Sequence, residues 1–225
     1  MAVGKFITFE GGEGAGKSTQ VRLLAEQLRQ QSLDVVVTRE PGGTAFAEQV
    51  RALILSPDVA EHAPLSEALL FYAARADHLA KVISPALQRG AIVLCDRFSD
   101  STRVYQSVAG GLSAVVLERL EDIVVGPSRP DLTIILDIEP AAGLARAQSR
   151  REHGEVRDAT RDAEAGQDKY ERQSLAYHEK LRAGFLAIAA QEPQRCVVVS
   201  GDRPANAIAA EIWKAVTGRW AVDVR

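Results

Sequence analysis

Cysteine is scarce: Cys95 and Cys196 are the whole supply in 225 residues. Each adjoins a β-branched apolar run, so the expectation is two buried thiols in a reducing compartment and not a disulfide-stapled fold. No apolar run approaches the roughly 20 residues that cross a bilayer, which argues against a membrane-embedded chain. The N-terminus enters an apolar strand within its first few residues, leaving no room for a secretory leader, and the expected location is the cytoplasm. An excess of basic charge is also missing. Lys and Arg number 27 against 30 Asp and Glu, a formal net charge of −3, so no general attraction to a polynucleotide is expected and anion binding must be local. Internal repeats and low-complexity linkers are absent. With 46% hydrophobic and 25% charged residues, the chain is neither disordered nor fibrous. Its length suits a single domain, spanning 1–225, with a small mobile appendage.

What is present begins at Phe6, where an apolar strand runs into a glycine-rich turn and then a helix. Gly11 and Gly16, followed by Lys17 and Ser18, fit the phosphate-loop pattern. Glycines let backbone N–H groups close around an anion, and the helix N-terminus adds partial positive charge. Lys17 reaches the outer phosphates, and the Ser18 hydroxyl is placed for Mg²⁺. Val21, Leu24, Ala25 and Leu28 recur downstream at helical spacing, which supplies the strand–loop–helix context the motif requires. Gly11, Gly12, Glu13, Gly14, Ala15, Gly16, Lys17, Ser18 and Thr19 are therefore the expected cradle for ATP.

Strands are expected at Asp34–Thr38, Ile92–Asp96, Leu132–Leu136 and Cys196–Val199, alternating with helices. One helix covers Ala47–Leu55, with Val50, Leu53 and Ile54 on its apolar face. A long one covers Leu65–Arg89, with Leu65, Ala68, Leu69, Tyr72, Ala76, Leu79 and Ile83 in one stripe and Gly90 ending it. A polar segment spans Arg97–Gly111. Further helices begin near Ser113, with Val116, Leu120, Ile123 and Val124 in phase, at Ala141 behind Pro140, at Lys169, and at Pro204. The alternation predicts an α/β fold, a doubly wound five-stranded parallel sheet of the P-loop NTPase type, whose ligands sit at the carboxyl ends of the strands. Between 150 and 168 the chain carries Arg150, Arg151, Arg157 and Arg161 among acids, with Val156 its one large apolar residue. A stretch this polar cannot offset its own ordering by burial and reads as a mobile lid.

Asp96 and Arg97 close a strand beside the phosphate loop. The carboxylate can hold Mg²⁺ through water, and the guanidinium offers a planar fork to phosphate oxygens. A plain surface ion pair is the alternative. Phe71 and Arg75, four residues apart, share one helix face and can present a ring and a cation to one ligand, although Phe71 alone reads equally as core.

The run Asp96-Arg97-Phe98-Ser99-Asp100-Ser101-Thr102-Arg103-Val104-Tyr105-Gln106 resembles the signature of thymidylate kinases. Three further stretches match that family in order: Phe9–Thr19, Thr38–Thr44 and Ala68–Arg75. The resemblance implies transfer of the ATP γ-phosphate to dTMP, with Mg²⁺ as cofactor, small-molecule partners and a homodimer. It implies further that Arg97 touches the acceptor phosphate and the group in transit, and that Phe71 stacks on thymine while Arg75 bonds its exocyclic oxygen. Thr102 and Gln106 would meet the base edge, Glu13 the sugar 3′-hydroxyl, and Tyr105 the place of a 2′-hydroxyl. Arg39 resembles an acceptor-phosphate contact, and Arg51 a weaker one. Where some members carry a catalytic loop arginine this chain has Ala15, so the resemblance points to a lid arginine, Arg150 or Arg151 first. Lys169-Tyr170-Glu171 replaces the family's Arg-aromatic-Glu. Two other readings stay open at this point: a different P-loop nucleotide or nucleoside kinase, and a non-enzymatic nucleotide-binding module, although no guanine-reading Asn-Lys-x-Asp motif is present.

Overall fold

The computed structural model describes residues 4–56, 58–152 and 169–220. Its centre is the strand β1 (Lys5–Gly11), whose Phe6, Ile7, Thr8 and Phe9 are all buried. A strand covered on both faces needs a near-continuous apolar run, and Lys5–Gly11 provides one. Around it stand β2 (Val35–Arg39), β3 (Ile92–Asp96), β4 (Leu132–Asp137) and β5 (Cys196–Ser200) in the order β2-β3-β1-β4-β5. Every pairing is parallel. The expected doubly wound sheet is therefore observed. Because the chain leaves β1 toward one edge and later passes to the other, β3 and β4 flank it and their carboxyl ends open a crevice beside its own. In register, Phe9 lies opposite Asp96, and Gly11 opposite Leu136.

Nine α-helical segments are described: α1 (Lys17–Gln30), α2 (Ala45–Leu55), α3 (Pro64–His78), α4 (Ser84–Gln88), α5 (Ser99–Thr102), α6 (Ala114–Val124), α7 (Pro140–Glu152), α8 (Leu175–Gln191) and α9 (Ala205–Arg219). π-helical stretches follow α3 at Leu79–Ile83 and α5 at Arg103–Ala109. On one face of the sheet Ile7, Phe9, Leu94 and Ile134 pack against Val21, Leu24 and Leu28 of α1 and Ile212 of α9. On the other, Phe6 and Val93 meet Tyr72, Ile83, Phe98 and Leu117. Each such side chain contributes about 1.5–3 kcal/mol by leaving water. Cys95 and Cys196 are free and buried, as expected.

Five readings are corrected. The long helix breaks into α3, a π-helical stretch and α4, and its buried face is Ala68, Tyr72, Ala74, Arg75 and His78. Leu65 and Leu69 are 42% and 48% exposed, and Ala76 is exposed as well. Polar Arg75 and His78 take the inward positions because carboxylate and hydroxyl partners await them there, so the real stripe is rotated from the apolar one. On α2, Val50 and Ile54 are buried but Leu53 is 47% exposed, and on α6 the inward residues are Leu117 and Glu121 while Ile123 is 80% exposed. The segment after Asp96 is helical from Ser99, and 169–174 is turn, with α8 starting only after the Ser174 cap, whose hydroxyl accepts from Tyr177 N. No described helix is long and apolar enough to cross a membrane.

Candidate active site

Gly11, Gly14 and Gly16 have φ of 129°, 68° and 92°, left-handed values that a side chain would resist and that let the loop wrap. No side chain caps α1, so its first amides are left for an anion. Gly14 lies so close to the backbone of Gly143 in α7 that neither position has room for a β-carbon. Lys17, expected to reach outward to phosphates, is buried and folded back: Nζ donates to the carbonyls of Gly11 at 3.1 Å and Gly12 at 2.8 Å. Burial and nearby Arg97 push its ammonium down to about 8, against the pull of Glu13, Asp96 and Glu10. Ser18 Oγ donates to Asp96 Oδ2 at 2.6 Å, so the two sequence-predicted Mg²⁺ residues meet. Among the described residues no group of three or more His, Cys, Asp or Glu could hold a metal. A hydroxyl and a carboxylate at this spacing still suit Mg²⁺, a hard cation that keeps water and phosphate oxygens as its other ligands.

Arg97 is the second centre. Its φ of 67° is rare for a residue with a β-carbon and turns the side chain back over the loop. Nη2 donates to Glu13 Oε1 at 2.5 Å, and Nη1 to Gly11 O and Ser101 Oγ, each at 3.1 Å. Tyr105 also donates to Glu13 Oε1, at 3.0 Å, beneath the Arg97 guanidinium, which stands 5.2 Å above its ring. Burial would raise the Glu13 carboxyl, but Arg97 and Lys17 outweigh it and hold the group down at about 2. The turn that strains Arg97 is pinned by Glu10. Phe98 N donates to its Oε1 at 2.8 Å and Ser101 Oγ to its Oε2 at 2.6 Å. Burial, then Asp100, raise Glu10 to about 7. Asp100 is gripped by Arg195 at 2.7 and 3.0 Å.

A buried polar cluster lies beside this centre, between α3 and the helical segment after β3. Arg75 is 2% exposed: Nε donates to Glu40 Oε2 at 2.8 Å and Nη2 to Thr102 Oγ1 at 2.9 Å. Its Nη1 is buried without a protein partner, as are Arg39 Nη1 and Gln106 Oε1. Arg39 Nη2 is held by Glu48 Oε2 at 3.0 Å. Thr102, Tyr105 and Gln106, within the stretch read as a polar segment, share one helical face and are buried. Phe71 is half-buried against the cluster of Ala47, Val50, Ile54 and Ala74. Arg51 Nη1 donates to Pro41 O at 2.9 Å. Asp137, at the end of β4, is clamped by Arg182 at 2.7 and 3.0 Å.

Glu67 was not singled out by the sequence, and Lys169 and Tyr170 only as replacing the family's Arg-aromatic-Glu. Glu67 accepts from Gln106 Nε2 at 3.1 Å and is paired with Lys169, while Tyr170 OH accepts from the same amide at 3.2 Å. Spacing held a signal for Glu67, since 67, 71 and 75 fall at i, i+4 and i+8 on one face. Arg150 lies on α7. The Arg151 side chain, Arg157 and Arg161 lie outside the described residues.

A family model described as thymidylate kinase matches residues 9–212. The thymidylate kinase of Caulobacter vibrioides is 48% identical over 219 residues, covering 97% of this chain and 99% of its own length. That of Nitrobacter winogradskyi is 49% identical over 216 residues, 96% of this chain and 89% of the relative. Among solved structures, thymidylate kinase from Ehrlichia chaffeensis superposes with a TM-score of 0.74 at 33% identity, covering 95% of this chain and 99% of that one.

Proposed function

The chain belongs to the thymidylate kinase family, and from that premise we propose that the phosphate loop and the polar cluster around Arg75 carry ATP and dTMP for in-line transfer of the γ-phosphoryl group, giving ADP and dTDP. One observation carries the reading: three of the buried polar atoms without a hydrogen-bond partner, Arg39 Nη1, Arg75 Nη1 and Gln106 Oε1, make a donor and acceptor set that dTMP would complete. Arg39 Nη1 is a donor for a phosphate oxygen. Arg75 Nη1 is a donor and Gln106 Oε1 an acceptor, which complements the keto oxygen and N3–H of thymine. Cytosine presents the opposite pattern, an amino donor and a bare ring nitrogen, and would leave both protein atoms unsatisfied at a cost of about 1–3 kcal/mol each. Turnover of dTMP, dUMP and dCMP under matched conditions tests this. The expected order puts dCMP last by at least about tenfold, and equal turnover of dCMP would overturn the assignment.

The acceptor phosphate is already anionic, so the reaction needs alignment and neutralisation more than a base. When ATP arrives, Lys17 exchanges the carbonyls of Gly11 and Gly12 for its outer phosphates. Arg97 exchanges Glu13 for the acceptor phosphate and the group in transit. Glu13, released but still held by Tyr105, turns to the sugar 3′-hydroxyl, and the Tyr105 ring crowds the place of a 2′-hydroxyl. Phe71 stacks on the base and Thr102 lines its edge. Ser18 and Asp96 would hold Mg²⁺, which supplies charge neutralisation at the phosphates when bound. Arg150 and Arg151 are the leading candidates for the cation that Ala15 does not provide. Two copies pair through the face of α2 and α3 where Leu53, Leu65 and Leu69 stay exposed; sedimentation at monomer mass would remove this part. The cytoplasm, where two buried thiols stay reduced, is the location that suits the chain. Its partners are small molecules, with neither nucleic acid nor membrane among them.

A further inference from the structure

We infer that Glu40 and His78 are positioning residues that set the specificity of the acceptor pocket, by locking Arg75 in the one orientation that offers Nη1 to a keto oxygen. This rests on the reading of Arg75 as the base's donor.

The relay is continuous and buried. His78 has no exposed surface. Its Nδ1 lies 3.0 Å from Glu40 Oε1, and because a carboxylate only accepts, Nδ1 is the donor. Its Nε2 lies 2.6 Å from Thr38 Oγ1, which fixes the ring from its far side. Glu40 Oε2 then takes Arg75 Nε at 2.8 Å. Tyr72 and Phe98 hold the guanidinium over their rings at 4.8 and 5.0 Å, so it can turn only in its own plane. Glu40 stops that turn. A glutamate's terminal torsion is broad and roughly two-fold, and with Oε1 unpaired the carboxylate would rotate and Arg75 would follow. His78 removes that freedom.

The same imidazole reaches the phosphate end of the pocket. Gly43 has a φ of 87°, and a β-carbon there would fall 2.5 Å from His78 Nε2, so the turn is closed directly against the ring. Gly43 N donates to Glu48 Oε1 at 2.9 Å, and Glu48 Oε2 holds Arg39 at 3.0 Å. His78 is thus the joint between the arm that meets the phosphate and the arm that meets the base. It reads the span of the nucleotide as well as its edge.

Kinetics of His78→Leu, His78→Asn, Glu40→Gln and Arg75→Lys test the relay. His78→Leu is expected to raise KM for dTMP about tenfold and to shrink the preference for dTMP over dCMP about fivefold or more, with kcat within about threefold and KM for ATP unchanged. His78→Asn, whose amide nitrogen can donate to Glu40 from near the Nδ1 position, should recover most of both. Unchanged KM and preference in His78→Leu overturn the inference. So does a joint decline of kcat, both KM values and melting temperature that His78→Asn fails to rescue, since that is the mark of packing alone. Should His78→Leu not fold, Glu40→Gln carries the same split and the same refuting result. Arg75→Lys separates the two levels. An intact base preference there removes the reading of Arg75 itself, whereas a collapsed preference there with a normal one in His78→Leu removes only the relay.

Discussion

Replacing Glu10 by Gln removes a buried carboxyl whose hold on its proton the fold strengthens. The side chain is fully buried, and burial together with Asp100 raises it from the usual 4.5 to about 7, against the opposing pull of Ser101, Arg97 and Phe98 N. Between those two values the folded protein holds a proton that the unfolded chain has already released. Stability contributed by Glu10 is therefore present below pH 4.5 and declines as pH rises, until it is gone above about pH 7. A shift of about 2.5 units at about 1.36 kcal/mol each sets the decline on the order of 3 kcal/mol. Gln cannot titrate, and the remaining groups change protonation alike in both proteins and largely cancel in the difference. Urea unfolding of wild type and Glu10→Gln at half-unit steps from pH 4.5 to 8 reads it directly. The expected result is a stability difference that moves about 3 kcal/mol in favour of the variant across that range, with unchanged m-values. A difference flat to within about 0.5 kcal/mol would refute the protonation argument. A difference that moves the other way would mean that Arg97 and the turn donors outweigh desolvation.

Lys17→Met keeps the aliphatic stem in its buried slot and should lower kcat about 10²-fold or more with the melting temperature nearly unchanged, checked by steady-state assay and calorimetry; wild-type turnover would contradict the phosphate-loop reading. Tyr105→Ala should narrow the gap in kcat/KM between dTMP and 5-methyl-UMP, while Tyr105→Phe, which keeps the ring, should not; a gap unmoved in both removes steric exclusion of the 2′-hydroxyl. Among Arg150→Ala, Arg151→Ala, Arg157→Ala and Arg161→Ala, the variant lacking the transferring cation should lose about 10²-fold in kcat with little change in nucleotide binding, and four normal kcat values would dismiss a lid arginine.

The elements that position the glycine-rich loop were legible because one short run of sequence makes them: strand, glycines and helix are contiguous from Phe6 to Leu28. The sheet was legible from the alternation of apolar runs with helical periods. The face of α3 was not. Periodicity weighs apolar residues, and Leu65 and Leu69 scored for a stripe that the fold assigns to Arg75 and His78. Those two go inward on the strength of Glu40, which is 35 and 38 residues away along the chain, a separation that no local window contains. The π-helical stretches at Leu79–Ile83 and Arg103–Ala109 further rotate the side chains after them out of a 3.6-residue phase. Phe71, Arg75, Thr102, Tyr105 and Gln106 were named through family resemblance, and what the geometry added is the burial of the last four and the bond from Arg75 to Thr102.

The contact between Gly14 and Gly143 bears on how portable the phosphate loop is. Its letters all lie within Phe9–Thr19, yet one wall of its shape is supplied from α7, more than a hundred residues on, where any β-carbon at 143 would strike the carbonyl of Glu13. Residues 14 and 143 therefore behave as one site under substitution: an alanine at either should distort the cradle, and no second change at the other can compensate, because neither can become smaller than glycine. Transplanted alone into a foreign sheet, the loop would carry its sequence without its brace.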